Sequence, residues 1–193
     1  LLKNTPVSSF SLTPPSLVNA DYDILIICDA SSTGWGAYVF FKFLNKTFLI
    51  RQKWNFFMGH SAQAEPRALK RACEFAKNYF VKNNVNFREN HTYRIACVTD
   101  HAAIVYGQRI WYSFYSGFSL SFFLNSLFSS LYCKNFSSEV FYVAGELNPA
   151  DGPSRAIDFS STSLEFSPSN FNFPPLSSFY HPFVNRNKPD YMV

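Results

Sequence analysis

Four acids stand out because of what surrounds each of them. Asp29 ends the apolar run 24–28, Asp100 follows the apolar run 95–98, Glu65 lies in a helix-like stretch, and Asp151 closes Asn148-Pro149-Ala150, where a short helix would open. One acid after a strand is ordinarily solvated loop. If the two apolar runs are parallel neighbours, however, Asp29 and Asp100 reach the same sheet edge, where sites in such sheets form. At about 100° per residue, Leu69, Ala72 and Ala76 fall within about 40° of Glu65, while Arg67, Lys70, Glu74 and Asn78 point away. Glu65 is therefore expected on the buried stripe, where no Lys or Arg of the same helix can pair with it and its desolvation is costly. Clustered hard carboxylates are the ligand set of Mg²⁺ or Mn²⁺, and two such ions about 4 Å apart clamp a phosphodiester for in-line hydrolysis. The acids alone thus predict a metal-dependent nuclease.

Positioning these acids requires a sheet and helices. The run 24–28 is short and continuously apolar, as in a central strand buried on both faces. Residues 31–34 supply a turn, 35–43 a second strand, Asn45-Lys46 a hairpin turn and 47–54 a third strand, so three antiparallel strands open the fold. Residues 61–80 read as a helix with Ser61 as N-cap and Pro66 in its first turns. A strand at 95–98, a short helix at 101–110, a helix within 110–133, a strand at 140–143 and a last short helix follow. This order implies an α/β fold, a mixed sheet flanked by helices. Residues 1–20 form a Pro-containing linker, 21–157 the folded domain, and 158–193 a Ser, Pro and Phe-rich tail whose prolines argue against regular elements. The tail's many phenylalanines leave docking and disorder equally open.

Composition narrows the class. At 47% apolar and 16% charged, the chain can bury a core, so disorder throughout is excluded. A net charge of +4 permits a polyanionic partner without demanding one. Cys28, Cys73, Cys97 and Cys133 show no zinc spacing, and their apolar or helical settings point to reduced, intracellular thiols. With no initiating Met and no signal segment, the sequence reads as a piece of a longer chain. Residues 110–133 carry no charge and are long enough to span a bilayer, but serines interrupt them. Leu120, Leu124, Leu127 and Leu131 share one face opposite Ser126 and Ser129, the pattern of an amphipathic core helix. No membrane association is expected.

Four stretches then carry a resemblance: Cys28-Asp29-Ala30-Ser31-Ser32-Thr33-Gly34-Trp35-Gly36-Ala37, Ser61-Ala62-Gln63-Ala64-Glu65-Pro66-Arg67-Ala68-Leu69, Val98-Thr99-Asp100-His101, and residues 143–155 with Asn148-Pro149-Ala150-Asp151-Gly152-Pro153-Ser154-Arg155. In order and spacing they resemble the blocks of a ribonuclease H domain attached to a retroelement reverse transcriptase, over about residues 22–157. Their wording is similar to that in tyrosine-recombinase retrotransposons of the DIRS and VIPER kind and in hepadnavirus polymerases, with gypsy-type elements more distant. The resemblance implies a ribonuclease H-like fold with a five-stranded mixed sheet. It also implies hydrolysis of the RNA strand of RNA–DNA hybrids, leaving a 3′-hydroxyl and a 5′-phosphate. Asp29, Glu65, Asp100 and Asp151 match the catalytic metal ligands: Asp29 would bridge two Mg²⁺ or Mn²⁺ ions, with Glu65 and Asp100 on one side and Asp151 on the other. Ser31, Ser32, Thr33 and Gly34, together with the backbone near Ala64 and Glu65, would meet the 2′-hydroxyls of the RNA strand. His101 and Asn148 are further candidates for the substrate-facing rim, His101 competing with an ordinary helix-start role. The implied partners are the hybrid and a polymerase domain in the same polyprotein, in a cytoplasmic or nuclear retroelement particle.

One departure stands out. The loop before Asp151 has Gly145, Glu146 and Asn148 where many family members place a histidine that assists proton transfer and product release, so turnover would be slower or would use Glu146. Lys42, Lys46, Arg51 and Lys53 on the hairpin, and Arg67, Lys70, Arg71 and Lys77 on the helix, are candidates for phosphate contact or simply a solvated surface. Trp35, Trp54 and Trp111 read as core. Proofreading exonucleases, whose first two acids are near neighbours, and integrases, with the order D, D, E, do not fit. The alternative from another class is an inactive or domesticated scaffold that binds nucleic acid or protein.

Overall fold

The computed structural model describes residues 22–107, 118–131, 133–155 and 162–166. Its strands are β1 (Ile24–Ala30), β2 (Gly34–Phe41), β3 (Lys46–Lys53), β4 (Tyr93–Thr99), β5 (Phe136–Tyr142) and β6 (Thr162–Phe166). They form one sheet in the order β5-β4-β1-β2-β3-β6. The pairs β1/β4 and β4/β5 are parallel, while β1/β2, β2/β3 and β3/β6 are antiparallel. The helices are α1 (Ser61–Asn83), α2 (Ala102–Gly107), α3 (Phe118–Leu131) and α4 (Asp151–Arg155). The five-stranded mixed sheet with flanking helices expected from the sequence is present.

A sixth strand extends it. β6 comes from the segment read as a tail without regular elements, and it pairs along β3 from Arg51 opposite Thr162 to Thr47 opposite Phe166. The first proline of that segment is Pro168, so the strand ends before the residue type that would have broken the ladder. Its backbone covers what would otherwise be the unpaired edge of β3.

The apolar run of β1 is explained by its place in the sheet, because successive side chains enter opposite layers. Ile24, Ile26 and Cys28 join one cluster with Ala68, Leu69, Ala72 and Phe80 of α1 and Leu124 and Leu127 of α3. Leu25 and Ile27 join a second cluster with Ala96, Val98, Phe141, Val143 and Ala150 on the other face. The first layer is strongly aromatic: Phe80 meets Phe43, Tyr93 and Phe136 edge-on, with ring centroids 4.9, 4.7 and 5.9 Å away.

Several boundaries move for local reasons. His60, extended at φ −136° and ψ 133°, occupies the N-cap of α1 without a side-chain cap hydrogen bond, so Ser61 is the first helical residue rather than the cap. The helix runs to Asn83, beyond the expected end. The hairpin turn between β2 and β3 places Asn45 at φ 51°, a left-handed conformation asparagine tolerates. In α3, Leu124, Leu127 and Leu131 are buried as expected. The expected helix start at residue 110 and Trp111 lie outside the described residues. Among the described residues, no helix is long and apolar enough to cross a membrane. All four cysteines are free, three of them buried and Cys133 exposed.

Candidate metal centre

The site begins with strand register. Ile27 of β1 stands opposite Val98 of the parallel strand β4. Two residues further along each chain come Asp29 and Asp100, which therefore leave the same end of the sheet side by side. Glu65, on the second turn of α1, faces this end because the buried stripe of that helix, Leu69, Ala72 and Ala76, packs on the sheet. Carboxylate oxygens of Asp29, Glu65 and Asp100 all lie within 4.8 Å of one another. Asp29 is only 3% exposed and Glu65 only 5%. Glu65 Oε1 accepts the Ala30 N–H at 3.1 Å, which fixes its direction.

Such a trio is electrostatically uncomfortable by itself. Burial, followed by the charges of Asp29 and Asp100, pushes the Glu65 carboxyl well above its usual range. Burial likewise lifts Asp29 to about 6, against a lowering by the Ser154 hydrogen bond and with further lifting by Asp100 and Asp151. Asp100 is raised mainly by burial, with Asp151 adding to the effect. Two buried carboxyls and one half-buried one that resist simultaneous ionisation are the donor set a hard divalent cation fits, because its charge removes the penalty and its coordination suits carboxylate oxygens. The residues present are compatible with such an ion.

Asp151 stands beside the trio rather than inside it. It opens α4, its charge acts on both Asp29 and Asp100, and its Oδ1 accepts Arg155 Nε at 2.8 Å. The other half of α4 reaches the centre directly: the buried Ser154 hydroxyl donates a hydrogen bond to Asp29 Oδ2. Two glycines leave room around the acids. Gly36 pairs with Asp29 across β1 and β2, and a Cβ on it would meet Pro153 Cβ at 2.6 Å and Ser154 N at 2.9 Å. A Cβ on Gly145 would come within 2.9 Å of Asp100 Oδ2. None of Ser154, Gly36 and Gly145 was assigned a role from the sequence. Ser154 follows Asp151 by three residues, the spacing that puts both on one side of a helical turn, and this was the available signal.

The remaining sequence candidates divide between the chain's own bonding and the rim. Asn148 is buried, its Nδ2 donating to Cys28 O at 3.1 Å and its Oδ1 accepting Ala150 N at 3.1 Å, so its amide ties the last loop to β1. Ser31 Oγ accepts Gly34 N at 3.1 Å and donates to Ser154 O at 2.7 Å, holding the 31–34 turn against α4. Ser32 and Thr33 are exposed on that turn, and Gly34 is buried. The half-buried His101 follows Asp100, and its Nδ1 is buried without a hydrogen-bond partner. Burial lowers its pKa. Trp35 and Trp54 are core residues as expected.

Four of the cations considered for phosphate contact are engaged within the protein. Lys70 Nζ donates to Ser126 Oγ at 2.9 Å, and Lys77 donates to the Ser130 carbonyl. Arg71 donates to Gln52 Oε1 at 3.0 Å and lies 5.0 Å over the Trp54 ring. Arg67 sits between the rings of Phe56 and Phe123, at 5.6 and 4.7 Å. These contacts join α1 to α3 and to β3.

No family model matches the chain, and no curated protein matches it. Among solved structures, it is similar to the N-terminal RNase H domain of Rv2228c from Mycobacterium tuberculosis, solved as a fusion with maltose binding protein. Identity is 19%, the match covers 70% of this chain and 98% of that one, and the TM-score is 0.46. The chemistry of the centre therefore rests on its own carboxylates.

Proposed function

We propose that the protein is a ribonuclease H-type endonuclease that hydrolyses the RNA strand of RNA–DNA hybrids with two divalent cations, Mg²⁺ or Mn²⁺, during reverse transcription of a retroelement. The observation that carries this reading is the convergence of the buried Asp29 and Glu65 with the half-buried Asp100, from the ends of two parallel strands and a helix. The ions, when bound, supply charge neutralisation and lower the pKa of a bound water for attack on phosphorus. Asp29, which stands with Glu65 and Asp100 and is tied to α4 through Ser154, would hold the ions together with those two acids. Asp151, at the start of α4, would help hold a second ion. In the net reaction a water oxygen bonds to phosphorus and the bond to the 3′-oxygen breaks. The products are a 3′-hydroxyl, which takes up a proton, and a 5′-phosphate. The exposed Ser32 and Thr33, on a turn anchored to α4, would meet a strand entering the centre. His101, which follows Asp100, and the exposed Glu146, which follows the Gly145 that abuts Asp100, are candidates for proton handling. The polymerase partner in the same polyprotein and the intracellular particle belong to this proposal through the resemblance of the sequence blocks.

The test is cleavage of an RNA–DNA hybrid with Mg²⁺ or Mn²⁺, run beside double-stranded RNA, double-stranded DNA and the Asp29→Asn variant. Cleavage confined to the hybrid and abolished in the variant supports the enzyme. A second reading is a scaffold that binds without cutting, in which Asp151 keeps its exposed pairing with Arg155. Binding of the hybrid with no cleavage at any concentration of either ion would establish that reading instead.

A further inference from the structure

We infer that Ser154 is a positioning residue that sets the separation of the two halves of the metal centre, by tying Asp29 on β1 to the helix that carries Asp151. The inference rests on the metal-dependent reading above. Ser154 is fully buried, and its hydroxyl has one proton for two acceptors, Asp29 Oδ2 and the Asp151 carbonyl 2.8 Å away. A carboxylate is the stronger acceptor, so the proton goes to Asp29 when that group is ionised. This engages Oδ2 and leaves Oδ1 for coordination. The serine itself is held on both sides: its N–H donates to Ala150 O at 2.9 Å, and its carbonyl accepts Ser31 Oγ at 2.7 Å. Close packing of Pro153 and Ser154 over Gly36 keeps α4 from sliding along the sheet. An outer partner so constrained orients the ligand it touches and, through the helix, fixes where Asp151 stands.

The consequence is selectivity between ions. Mg²⁺ demands near-ideal octahedral geometry and sheds water reluctantly, so a centre with a loosened bridging carboxylate loses Mg²⁺ before the more tolerant Mn²⁺. Calorimetric titration of the full chain with each ion, without substrate, reads this directly. Ser154→Ala is expected to weaken Mg²⁺ binding about tenfold or more, the usual range for loss of an outer partner, and Mn²⁺ binding distinctly less. Ser154→Cys, with a weak donor of similar size, falls between. Ser31→Ala removes the hydroxyl that holds the Ser154 carbonyl, so it should lower the Mg²⁺ to Mn²⁺ affinity ratio in the same direction, by less than Ser154→Ala does. Circular dichroism verifies that each variant is folded. Unchanged affinities in both Ser154 variants, or an equal loss for both ions matched by Ser31→Ala, would overturn the inference while leaving the nuclease reading intact. A native protein that takes up neither ion overturns both.

Discussion

Asp29 and Asp100 occupy equivalent places on adjacent parallel strands, two residues beyond the paired Ile27 and Val98. The pairing places two like charges together at one end of the sheet. Glu65 then makes the arrangement unfavourable unless a cation or protons enter it.

Without divalent cations, Asp29→Asn should stabilise the fold at neutral pH. A carboxyl whose folded pKa is raised binds protons more tightly in the native state than in the unfolded chain. Its contribution therefore falls as pH rises from the ordinary aspartate value, 3.8, through about 6. Thermal unfolding in chelator should show the native protein losing stability across that window relative to the variant. Adding Mn²⁺ at neutral pH should raise the Tm of the native protein and leave that of the variant unmoved. A native protein and a variant with parallel pH profiles would contradict this.

Gly145→Ala is expected to damage activity more than stability. The added Cβ meets Asp100 Oδ2 at 2.9 Å, so the carboxylate or the loop must shift. A misplaced group of this kind costs about a hundredfold in rate. Hybrid cleavage should fall by about that factor, with a circular dichroism spectrum matching the native one.

Gly36→Ala should cost stability. Its Cβ would lie 2.6 Å from Pro153 Cβ and 2.9 Å from the Ser154 nitrogen, and one of these is backbone that cannot rotate away. Overpacking of this kind costs about 1–3 kcal/mol, measurable as a lower urea midpoint.

Leu69→Ala probes the layer that holds Glu65 in place. Leu69 is 1% exposed between α1 and the sheet, and its truncation should cost about 2–5 kcal/mol in urea unfolding. A loss below about 1 kcal/mol would mean that this contact is not what seats the helix.

Much of this site was legible in the sequence because its signals are local. The unbroken apolar run of β1 announces burial on both faces, and the helical phase of Glu65 announces its inward direction. Asp29 and Asp100 meet only if their strands are parallel neighbours, a condition local pattern cannot supply and strand pairing does. Ser154 reaches Asp29 across most of the chain, so its three-residue spacing from Asp151 marks a shared helical side but not that contact. β6 was missed because five residues of weak alternation gain their structure only from the edge of β3. Lys70 and Lys77 read as phosphate contacts or solvated cations because their partners, Ser126 and Ser130, belong to a helix far along the chain.

The cysteines offer a practical handle. Cys28, Cys73 and Cys97 are enclosed by the core, and Cys133 alone is open to solvent. A maleimide dye added to the folded protein should therefore attach at a single position, just past the end of α3, so that binding of the proposed RNA–DNA hybrid can be assayed by fluorescence without altering a carboxylate of the centre.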